Sequence, residues 1–360
     1  MKSGIDFLLA ARHCEIAELE QLAQTGELVT AIARFIHALQ RERGISSIYL
    51  SSHGAQFTQQ REQQIADCNL AEEAVRLQLD RLDTESHQAR NGARLFSRAA
   101  VVLHALEGLP ALRVRIARQA LSASESTAAL ARLIAGLLTV VFEAADTASD
   151  PKISRALVAM FNFMQGKEFA GQERALGARV FAAGYVDGAG QQQWRHLVDA
   201  QQGCFQVFAD LGDADAVQAD QAGRNPAVMG EIERLRRIGG TVRGELDTAL
   251  SHEWYHWCTL RIDEMKLTED RLAIHLRALC EQRIAQAEAE LHDQRAALDA
   301  LSARTAGGPP RRLRSARTWS ARCSRWCRSS RAACKRWATS SMRCAPPSAS
   351  ARWSSAPRAC

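Results

Sequence analysis

Only three prolines interrupt the first 304 residues, and this scarcity most constrains the fold of the chain. Pro110, Pro151 and Pro226 each stand near a position where a helix can begin, which is where proline is best tolerated. Long segments rich in Ala, Leu, Gln, Glu and Arg lie between them, with apolar residues at helical spacing and almost no alternating β-branched runs. The sequence therefore predicts an all-α protein built from long helices.

The apolar periodicity predicts helices that are separated by short polar breaks, which favours antiparallel neighbours in bundles. The segment after Asp150 can form a second bundle, with long helices shared between the two. We expect two antiparallel helical bundles over residues 1–280, a helical stalk over 281–304 and a disordered tail over 305–360. The predicted helices lie near 5–24, 27–51, 56–82, 88–107, 110–147, 152–183, 189–211, 226–248 and 250–302.

The formal net charge of +6 combines two regions of opposite character. From Thr305 onward the chain has 13 Lys and Arg and no Asp or Glu, whereas residues 1–304 have 33 basic and 40 acidic residues. The mildly acidic body has no basic patch typical of nucleic-acid binding. Its five cysteines are scattered without disulfide or metal spacing, which is typical of reduced thiols in a cytosol.

Neither a secretion signal nor a bilayer span is evident in the sequence. The amino terminus has no long apolar core, and the longest apolar run, LIAGLLTVVF at 133–142, is shorter than the roughly 20 residues that a span needs. We therefore expect a soluble, cytoplasmic protein that makes no membrane contact.

A weak heptad pattern occurs near the end of the last predicted helix. Ile284, Leu291 and Leu298 recur every seven residues, with Ala287 and Leu301 between or beside them. The pattern fits either a solvated helix that extends from the bundle or the seam of a homodimer stalk.

Arg43 lies in an apolar helical stripe, where an unpaired cation is not expected. An uncompensated charge that faces a core costs on the order of several kcal/mol. Arg43 therefore needs a negative partner, which is either a carboxylate of this chain or an anion from outside. The stripe comprises Ile32, Phe35, Ile36, Leu39, Arg43, Ser46 and Leu50 at 3.6 residues per turn.

A second segment, ISRALVAMFNFMQGKEFAGQERALGARVFAAG, also directs cations to the edge of its apolar face. Lys167, Gly171 and Arg174 follow at i, i+4 and i+7. Gly166, Gly171 and Gly177 each cost roughly 1 kcal/mol in a helix relative to Ala. Glycines at such positions are expected where another backbone or a small ligand comes close.

Two later segments repeat this arrangement. Arg236 lies at the border of an apolar stripe, whereas Arg237 points the opposite way. Arg261 shares a helix face with Trp254, Trp257 and Met265, and the two tryptophans are predicted to anchor the core.

Two explanations fit these inward-facing cations. A small planar oxyanion would satisfy two or three guanidiniums together with a hydroxyl such as that of Ser46. Alternatively, the arginines pair internally with Glu42, Glu168 or Glu173, which sit beside them in the sequence. The residues alone leave both explanations open.

Two segments, LQRERGISSIYLSS (39–52) and MQGKEFAGQERALGARVFAAG (164–184), resemble the signature segments of the NIT family, the nitrate- and nitrite-sensing domains of bacteria. RLRR (234–237) and WCTLRIDEM (257–265) resemble the later helices of that family. The resemblance covers roughly residues 25–280 and implies two coupled helical bundles with nitrate or nitrite held between them. Residues 1–280 would then form the sensing domain.

The resemblance also implies the residues of the site. Matched motif by motif, Arg43 and Arg174 are the binding arginines of the two signature segments. Arg236 is the third, because the helical phase turns it inward. Ser46, Lys167 and Arg261 are expected nearby as a secondary set. No catalytic residue, cofactor or metal is expected, and the ligand is nitrate or nitrite.

The tail from Thr305 has a composition typical of a GC-rich gene translated out of frame, with Arg, Ala, Ser, Cys, Trp and Pro enriched. Regrouping GC-rich codons for Thr318–Cys360 by one base gives an amphipathic peptide that ends ALSERKVVERAKGLL. This peptide resembles the opening of an ANTAR domain, a small helical RNA-binding module. The alternative is a genuine basic disordered tail.

A NIT domain, a stalk and an ANTAR start together resemble the nitrate-responsive transcription antiterminators. Anion binding in such proteins would release or reorient the RNA-binding module, which captures a leader RNA hairpin before a terminator. The chain as written would sense the anion but lack this output.

An enzymatic alternative rests on HEWYH at 252–256, which matches the H-E-x-x-H zinc motif. His252 and His256 would bind zinc and Glu253 would act as the general base. A zincin helix packs against a sheet, and no strand pattern occurs in this sequence. The other alternative is a helical scaffold whose arginines pair internally and bind no ligand.

Overall fold

The computed structural model describes residues 4–82, 92–241 and 244–306, with side chains described to residue 300. Every regular element in these ranges is an α-helix, so the all-α prediction is confirmed. In chain order the helices are α1 (Gly4–Ser51), α2 (Thr58–Asp80), α3 (Gly92–Glu107), α4 (Leu109–Ala117), α5 (Ala123–Asp146), α6 (Pro151–Ala183), α7 (Gly188–Leu211), α8 (Ala214–Gly223), α9 (Pro226–Thr241) and α10 (Leu250–Ala306).

Several predicted helix boundaries differ from the observed ones. α1 is one continuous helix where the sequence predicted two, because its middle is buried and Gly26 packs against Leu276 of α10. The predicted helix 110–147 divides into α4 and α5. Gln119 adopts a left-handed conformation between them, with φ of 52°, and Ser122 begins α5 with a reciprocal capping box to Glu125.

The region after α7 contains a helix that the sequence analysis assigned to a loop. α8 begins at an Asp213 cap whose side chain accepts hydrogen bonds from the backbone of Asp215 and Ala216. It has only ten residues, and Val217 is its one large apolar side chain, so it gives little apolar periodicity. α9 ends at Thr241 rather than at the predicted 248.

The larger of two hydrophobic cores is built around α1 and α5. α2, α3, the amino-terminal half of α6 and the middle of α10 pack against them. The most deeply buried side chains of this core come from sequence-distant helices, so the core ties the chain together. They include Leu28, Phe35, Ile36, Val75, Leu130, Ile134, Leu137, Ile153, Leu157, Phe163 and Leu276.

A second core joins the carboxyl-terminal half of α6 to α7, α9 and the start of α10. Trp254 is fully buried there and packs edge-to-face on Trp194, with ring centroids 5.0 Å apart. Its indole N–H donates to the backbone carbonyl of Arg174 at 3.0 Å. Trp257 packs at the edge of the same core, so both tryptophans contribute to it as predicted.

α6 and α10 each contribute side chains to both cores. α6 supplies Ile153–Ala170 to the first core and Leu176–Phe181 to the second, whereas α10 begins in the second core and continues into the first. The two bundles therefore share long helices, as the sequence predicted. Asp150 caps α6 and also binds Arg283 of α10 at 2.8 Å, which links the two shared helices.

Two aromatic contacts explain two of the helical glycines. A Cβ at Gly166 would lie 2.7 Å from the Phe205 ring, and one at Gly177 would overlap the Trp254 ring. The expectation of close approach is met at these positions by aromatic side chains rather than by a backbone.

The chain divides into two compact units, Met1–Arg295 and Ala296–Cys360. The part of the predicted stalk that lies in the first unit, up to Arg295, packs against the bundle. Ala287 and Leu291 are buried, Ile284 packs on the first core, and Glu290 pairs with Arg12 of α1 at 3.1 Å. The heptad residues up to Leu291 are therefore covered by the chain itself. Of the second unit only the end of α10 is described, and the predicted disordered or out-of-frame tail lies outside the described residues.

Two helical stretches are long and apolar enough to cross a membrane by length and composition alone, Gly92–Ala117 and Ala123–Asp146. Neither stretch was predicted from the sequence, in which the longest uninterrupted apolar run lies within α5 and is too short to span a bilayer. In the structure, more than half of the apolar window of α5 is buried against its own chain, as in a core helix. The absence of membrane contact remains a prediction.

Candidate functional site

A cleft of about 930 Å³ opens between α1, α5, α6, α7 and the start of α10. Its basic side chains are Arg43, Arg174, Arg179 and His252, and no Asp or Glu occurs among the described residues that line it. Such a wall attracts anions. The cleft also presents many hydroxyls, from Ser47, Ser51, Ser52, Ser124, Thr127, Thr248, Ser251 and Tyr255.

Arg43 reaches the inner wall of this cleft from α1 and is bound by a carboxylate of the chain. Its Nη1 and Nη2 donate to Glu168 Oε1 and Oε2 at 2.5 and 3.2 Å, and both side chains are buried. Glu168 also accepts hydrogen bonds from Gln40 and Gln172. Arg43 therefore has an internal counter-ion while still facing the cleft.

Arg174 lines the same cleft but has no carboxylate partner among the described residues. Its Nη1 donates to the Thr259 hydroxyl at 3.0 Å, and its guanidinium carbon lies 4.9 Å from the centre of the Tyr255 ring. Neither contact neutralises the charge, although the ring supplies a cation–π attraction. Arg174 is therefore a buried cation, 7% exposed, whose remaining donors are available to an anion.

Two glycines provide space beside these arginines. A Cβ at Gly171 would lie 2.8 Å from Arg43 Nη2. A Cβ at Gly44 would lie 2.9 Å from the Tyr255 hydroxyl and 3.3 Å from Arg174 Nη2. Both helices therefore present bare backbone where the guanidiniums approach. At Gly171 the close neighbour is the Arg43 side chain, whereas the sequence predicted another backbone or a small ligand.

Arg236 does not line this cleft in the structure. Its Nε and Nη2 donate to both oxygens of Glu173 at 2.7 and 2.6 Å, and its Nη1 donates to Glu233 at 2.5 Å. Burial raises the pKa of Glu173, but the hydrogen bonds and charges of Arg236, with Gln201 and Arg261, outweigh it, so the net pKa is below its ordinary value. Arg236 and Glu173 thus form a hydrogen-bonded ion pair in which Glu173 is buried and Arg236 is partly buried.

The secondary residues also lie apart from the cleft wall. Arg261 donates to Gln201 at 2.9 Å and lies 3.9 Å from Glu173, within the Arg236 cluster. Lys167 is fully buried and its Nζ lies 2.6 Å from Glu269 of α10. Ser46 is fully buried, and its hydroxyl has no hydrogen-bond partner among the described residues.

Some of these arginines are therefore paired with carboxylates of the chain, and one is not. Glu168 pairs with Arg43 and Glu173 with Arg236, whereas Glu42 binds Arg113 through two hydrogen bonds of 2.9 and 2.8 Å. Arg174 alone of the three predicted binding arginines has no carboxylate partner among the described residues. The roles of Arg43, Arg174 and Arg236 in ligand binding remain predictions.

Sequence reasoning did not identify Gly44, Tyr255 or Thr259 as part of the cleft region. Tyr255 and Thr259 lie four residues apart on α10, at the spacing that puts two side chains on one helix face. This spacing could have identified the two residues as neighbours on one helix face. Tyr255 lies inside the HEWYH segment, which was interpreted through its histidines and Glu253.

The HEWYH segment lies in the first turns of α10. Glu253 forms an ion pair with Arg234, and the His256 ring packs on Trp257 with centroids 5.1 Å apart. His252 lines the cleft. Across the described ranges, three or more His, Cys, Asp or Glu side chains are nowhere grouped so that they could hold a metal ion.

The fold and the cleft together define an all-helical protein with two cores and an arginine-lined recess beside its shared helices. Residues 34–277 match the NIT family, described as nitrate and nitrite sensing. The chain belongs to this family, which confirms the resemblance seen in its sequence.

Two known proteins extend the comparison. The chain is 36% identical over 279 residues to the "Nitrate regulatory protein" of Klebsiella oxytoca, a match that covers 76% of this chain and 67% of that protein. It is also similar to the solved structure of the NasR transcription antiterminator, with a TM-score of 0.69, 29% identity, and coverage of 84% of this chain and 86% of that one. Both relatives are regulators rather than enzymes by name.

Proposed function

We propose that this chain senses nitrate or nitrite by binding the anion in the cleft beside Arg43 and Arg174, and that binding regulates transcription. The observation that carries the proposal is the cleft wall, which presents buried guanidiniums and hydroxyls with no carboxylate among its described lining residues. Family membership supplies the class of ligand. Nitrate and nitrite are small, planar and weakly hydrated, which suits guanidinium forks better than a lysine point charge.

Within this proposal the two cleft arginines have different tasks. Arg174, with no carboxylate partner among the described residues, provides the primary charge for the anion. Arg43 is shared between Glu168 and the ligand, so an anion that approaches Arg43 competes with an internal carboxylate. Binding shifts the protein only to the extent that the anion prefers one arrangement of these groups over the other.

Arg236 is proposed as a ligand of the anion only in a state that differs from the one described. Its guanidinium is occupied by Glu173 and Glu233, so direct contact requires exchange of these hydrogen bonds. Lys167 and Arg261 are likewise engaged, with Glu269 and Gln201. These three cations would act by positioning the helices around the cleft.

The regulatory output is proposed from the relatives. One is called a nitrate regulatory protein and another a transcription antiterminator. We propose residues 1–280 as the sensing domain, 281–304 as the segment that connects it to an output, and a leader RNA hairpin as the partner if an intact ANTAR domain follows. We propose a cytoplasmic location, because a regulator of this kind would act on a transcript. A homodimer would use surfaces other than the heptad residues up to Leu291, which are covered within the chain.

A thermal-unfolding titration of the full chain tests this function. Sodium nitrate and sodium nitrite are compared with sodium chloride at matched ionic strength. A saturating rise in Tm with nitrate or nitrite, absent with chloride, is expected because a ligand that binds only the folded state stabilises it. Superimposable curves in the three salts would favour the scaffold alternative, in which the arginines serve internal pairing alone.

A further inference from the structure

Tyr255 brings an uncommitted hydroxyl to the point where Arg174 faces α1. Among the described residues this hydroxyl has no hydrogen-bond partner, although Tyr255 lines the cleft. The hydroxyl and Arg174 Nη2 both lie within 3.3 Å of one point, the position that a Cβ at Gly44 would occupy. A phenol donor and a guanidinium therefore converge on the same bare stretch of helix.

The Tyr255 ring also fixes the guanidinium of Arg174. The ring centre lies 4.9 Å from Arg174 Cζ, and the Tyr255 carbonyl accepts a 2.7 Å hydrogen bond from Thr259, whose oxygen accepts from Arg174 Nη1. The nearby Trp254 indole donates to the Arg174 carbonyl at 3.0 Å. Adjacent residues of α10 thus hold both the backbone and the head group of Arg174, so its free donors have a set direction.

We infer that Tyr255 is a specificity-determining residue of the anion site, whose hydroxyl donates to an oxygen of a nitrate or nitrite bound on Arg174. The inference rests on the proposed function. A trigonal oxyanion presents several directional acceptors in one plane, which a guanidinium and a phenol can bind together. A spherical halide gains less when a donor of fixed direction is added to the guanidinium N–H groups. The Tyr255 hydroxyl therefore raises the affinity for oxyanions more than the affinity for chloride.

Gly44 is the structural condition for this role. A methyl group at position 44 would lie 2.9 Å from the hydroxyl, closer than real Cβ contacts come, so the phenol would have to move. The side chain of Tyr255 has only two rotatable bonds and its ring packs on Arg174, so such a move would also release the guanidinium.

Calorimetric titration of the full chain with sodium nitrate, repeated with sodium chloride, tests the inference. Tyr255→Phe keeps the ring and removes only the hydroxyl. Tyr185→Phe makes the same chemical change at an exposed position outside the cleft and serves as the control. We expect Tyr255→Phe to weaken nitrate binding at least about tenfold, since hydrogen bonds to charged groups are among the stronger ones. Neither Tyr255→Phe nor the wild type should show saturable binding of chloride, and the Tm without ligand should stay unchanged.

The possible outcomes distinguish a failure of the proposed nitrate-sensing function from a failure of the proposed role of Tyr255. If the wild-type chain binds no nitrate or nitrite, the proposed function is wrong and this inference fails with it. If the wild type binds nitrate and Tyr255→Phe binds it equally well, the cleft is a sensor site but Tyr255 is not a ligand. Equal losses in Tyr255→Phe and Tyr185→Phe would also overturn the inference.

Discussion

Gly171 of α6 lies directly against the guanidinium of Arg43, with 2.8 Å between its would-be Cβ and Arg43 Nη2. The same guanidinium donates two hydrogen bonds to Glu168, about one turn earlier on α6. The two helices therefore meet through a charged group packed on bare backbone, at the inner wall of the cleft. Glycine at position 171 leaves room for this contact, and the Glu168 carboxylate is the counter-ion of Arg43 when no anion is bound.

Gly171→Ala is expected to weaken nitrate binding about tenfold by displacing Arg43. Alanine also improves helix propensity by roughly 1 kcal/mol, so the free energy of unfolding should change little. Gly203→Ala, a helical glycine of α7 with no neighbour within 4 Å of its would-be Cβ, is the matched control. Calorimetric nitrate affinities and urea unfolding check both variants. Unchanged nitrate affinity in Gly171→Ala would show that the position of Arg43 does not matter for the ligand.

Glu168→Gln is expected to make the protein less stable without ligand and more responsive to nitrate. Removing one partner of a buried ion pair costs on the order of 3–5 kcal/mol, and the amide retained here should reduce that loss. The loss of the competing carboxylate should tighten nitrate binding at Arg43.

Urea unfolding with and without nitrate measures both effects of Glu168→Gln. Glu290→Gln, which breaks the half-exposed pair with Arg12, is the control and should change stability by less than about 1 kcal/mol. A nitrate-induced stabilisation no larger than that of the wild type would argue against competition between Glu168 and the anion.

The Glu173–Arg236 pair predicts a specific loss of stability in acid. The folded-state pKa of Glu173 is lowered, so its contribution is present above the ordinary glutamate pKa of about 4.3. That contribution is lost as the pH falls through the lower folded-state pKa. Glu173→Gln should therefore be less stable than the wild type at pH 7, and the difference in stability should shrink below about pH 4.

The Tm of wild type and Glu173→Gln, measured from pH 7 to pH 3, checks this prediction. Glu233→Gln, whose side chain is 46% exposed, is the control. Parallel curves for wild type and Glu173→Gln would contradict the assignment.

Arg236→Ala and the neighbouring Arg237→Ala should differ sharply in stability. The first leaves Glu173 buried, with Arg261 3.9 Å away as its nearest remaining cation, at a cost on the order of 3–5 kcal/mol. The second removes an exposed side chain and should cost less than about 0.5 kcal/mol. Urea unfolding compares them. Equal stabilities would mean that the pairing of Arg236 with Glu173 contributes nothing to the fold.

The helices and the inward cations were predictable because both follow from local sequence. Periodicity over ten or more residues identified α6, α10 and both halves of α1, and it placed Arg43 on an apolar face and Arg174 at the edge of one. The ten-residue helix α8 has a single large apolar side chain, Val217, which is too little for such a signal. The capped break before α5 depends on one left-handed residue, Gln119, which no pattern indicates.

The pairing of each arginine could not be predicted, because the partners are distant in the sequence. Glu168 lies 125 residues from Arg43, and Glu173 lies 63 residues from Arg236. Glu42 stands beside Arg43 in the chain, yet it faces Arg113. Helix packing, rather than sequence proximity, selects which carboxylate meets which guanidinium. The position of Tyr255 in the cleft could not be predicted for the same reason, since only the packing of α10 on α6 brings it to Arg174.

Calorimetric titration of Arg174→Ala with nitrate tests most directly whether the anion binds at Arg174. The wild-type chain and Arg237→Ala, an exposed-arginine control, are titrated in parallel at fixed ionic strength. We expect saturable binding of one nitrate by the wild type and by Arg237→Ala, and at least about a hundredfold loss of affinity in Arg174→Ala, because a buried charge-assisted contact is removed. Nitrate binding by Arg174→Ala with wild-type affinity would exclude a site on Arg174 and place the anion elsewhere in the protein.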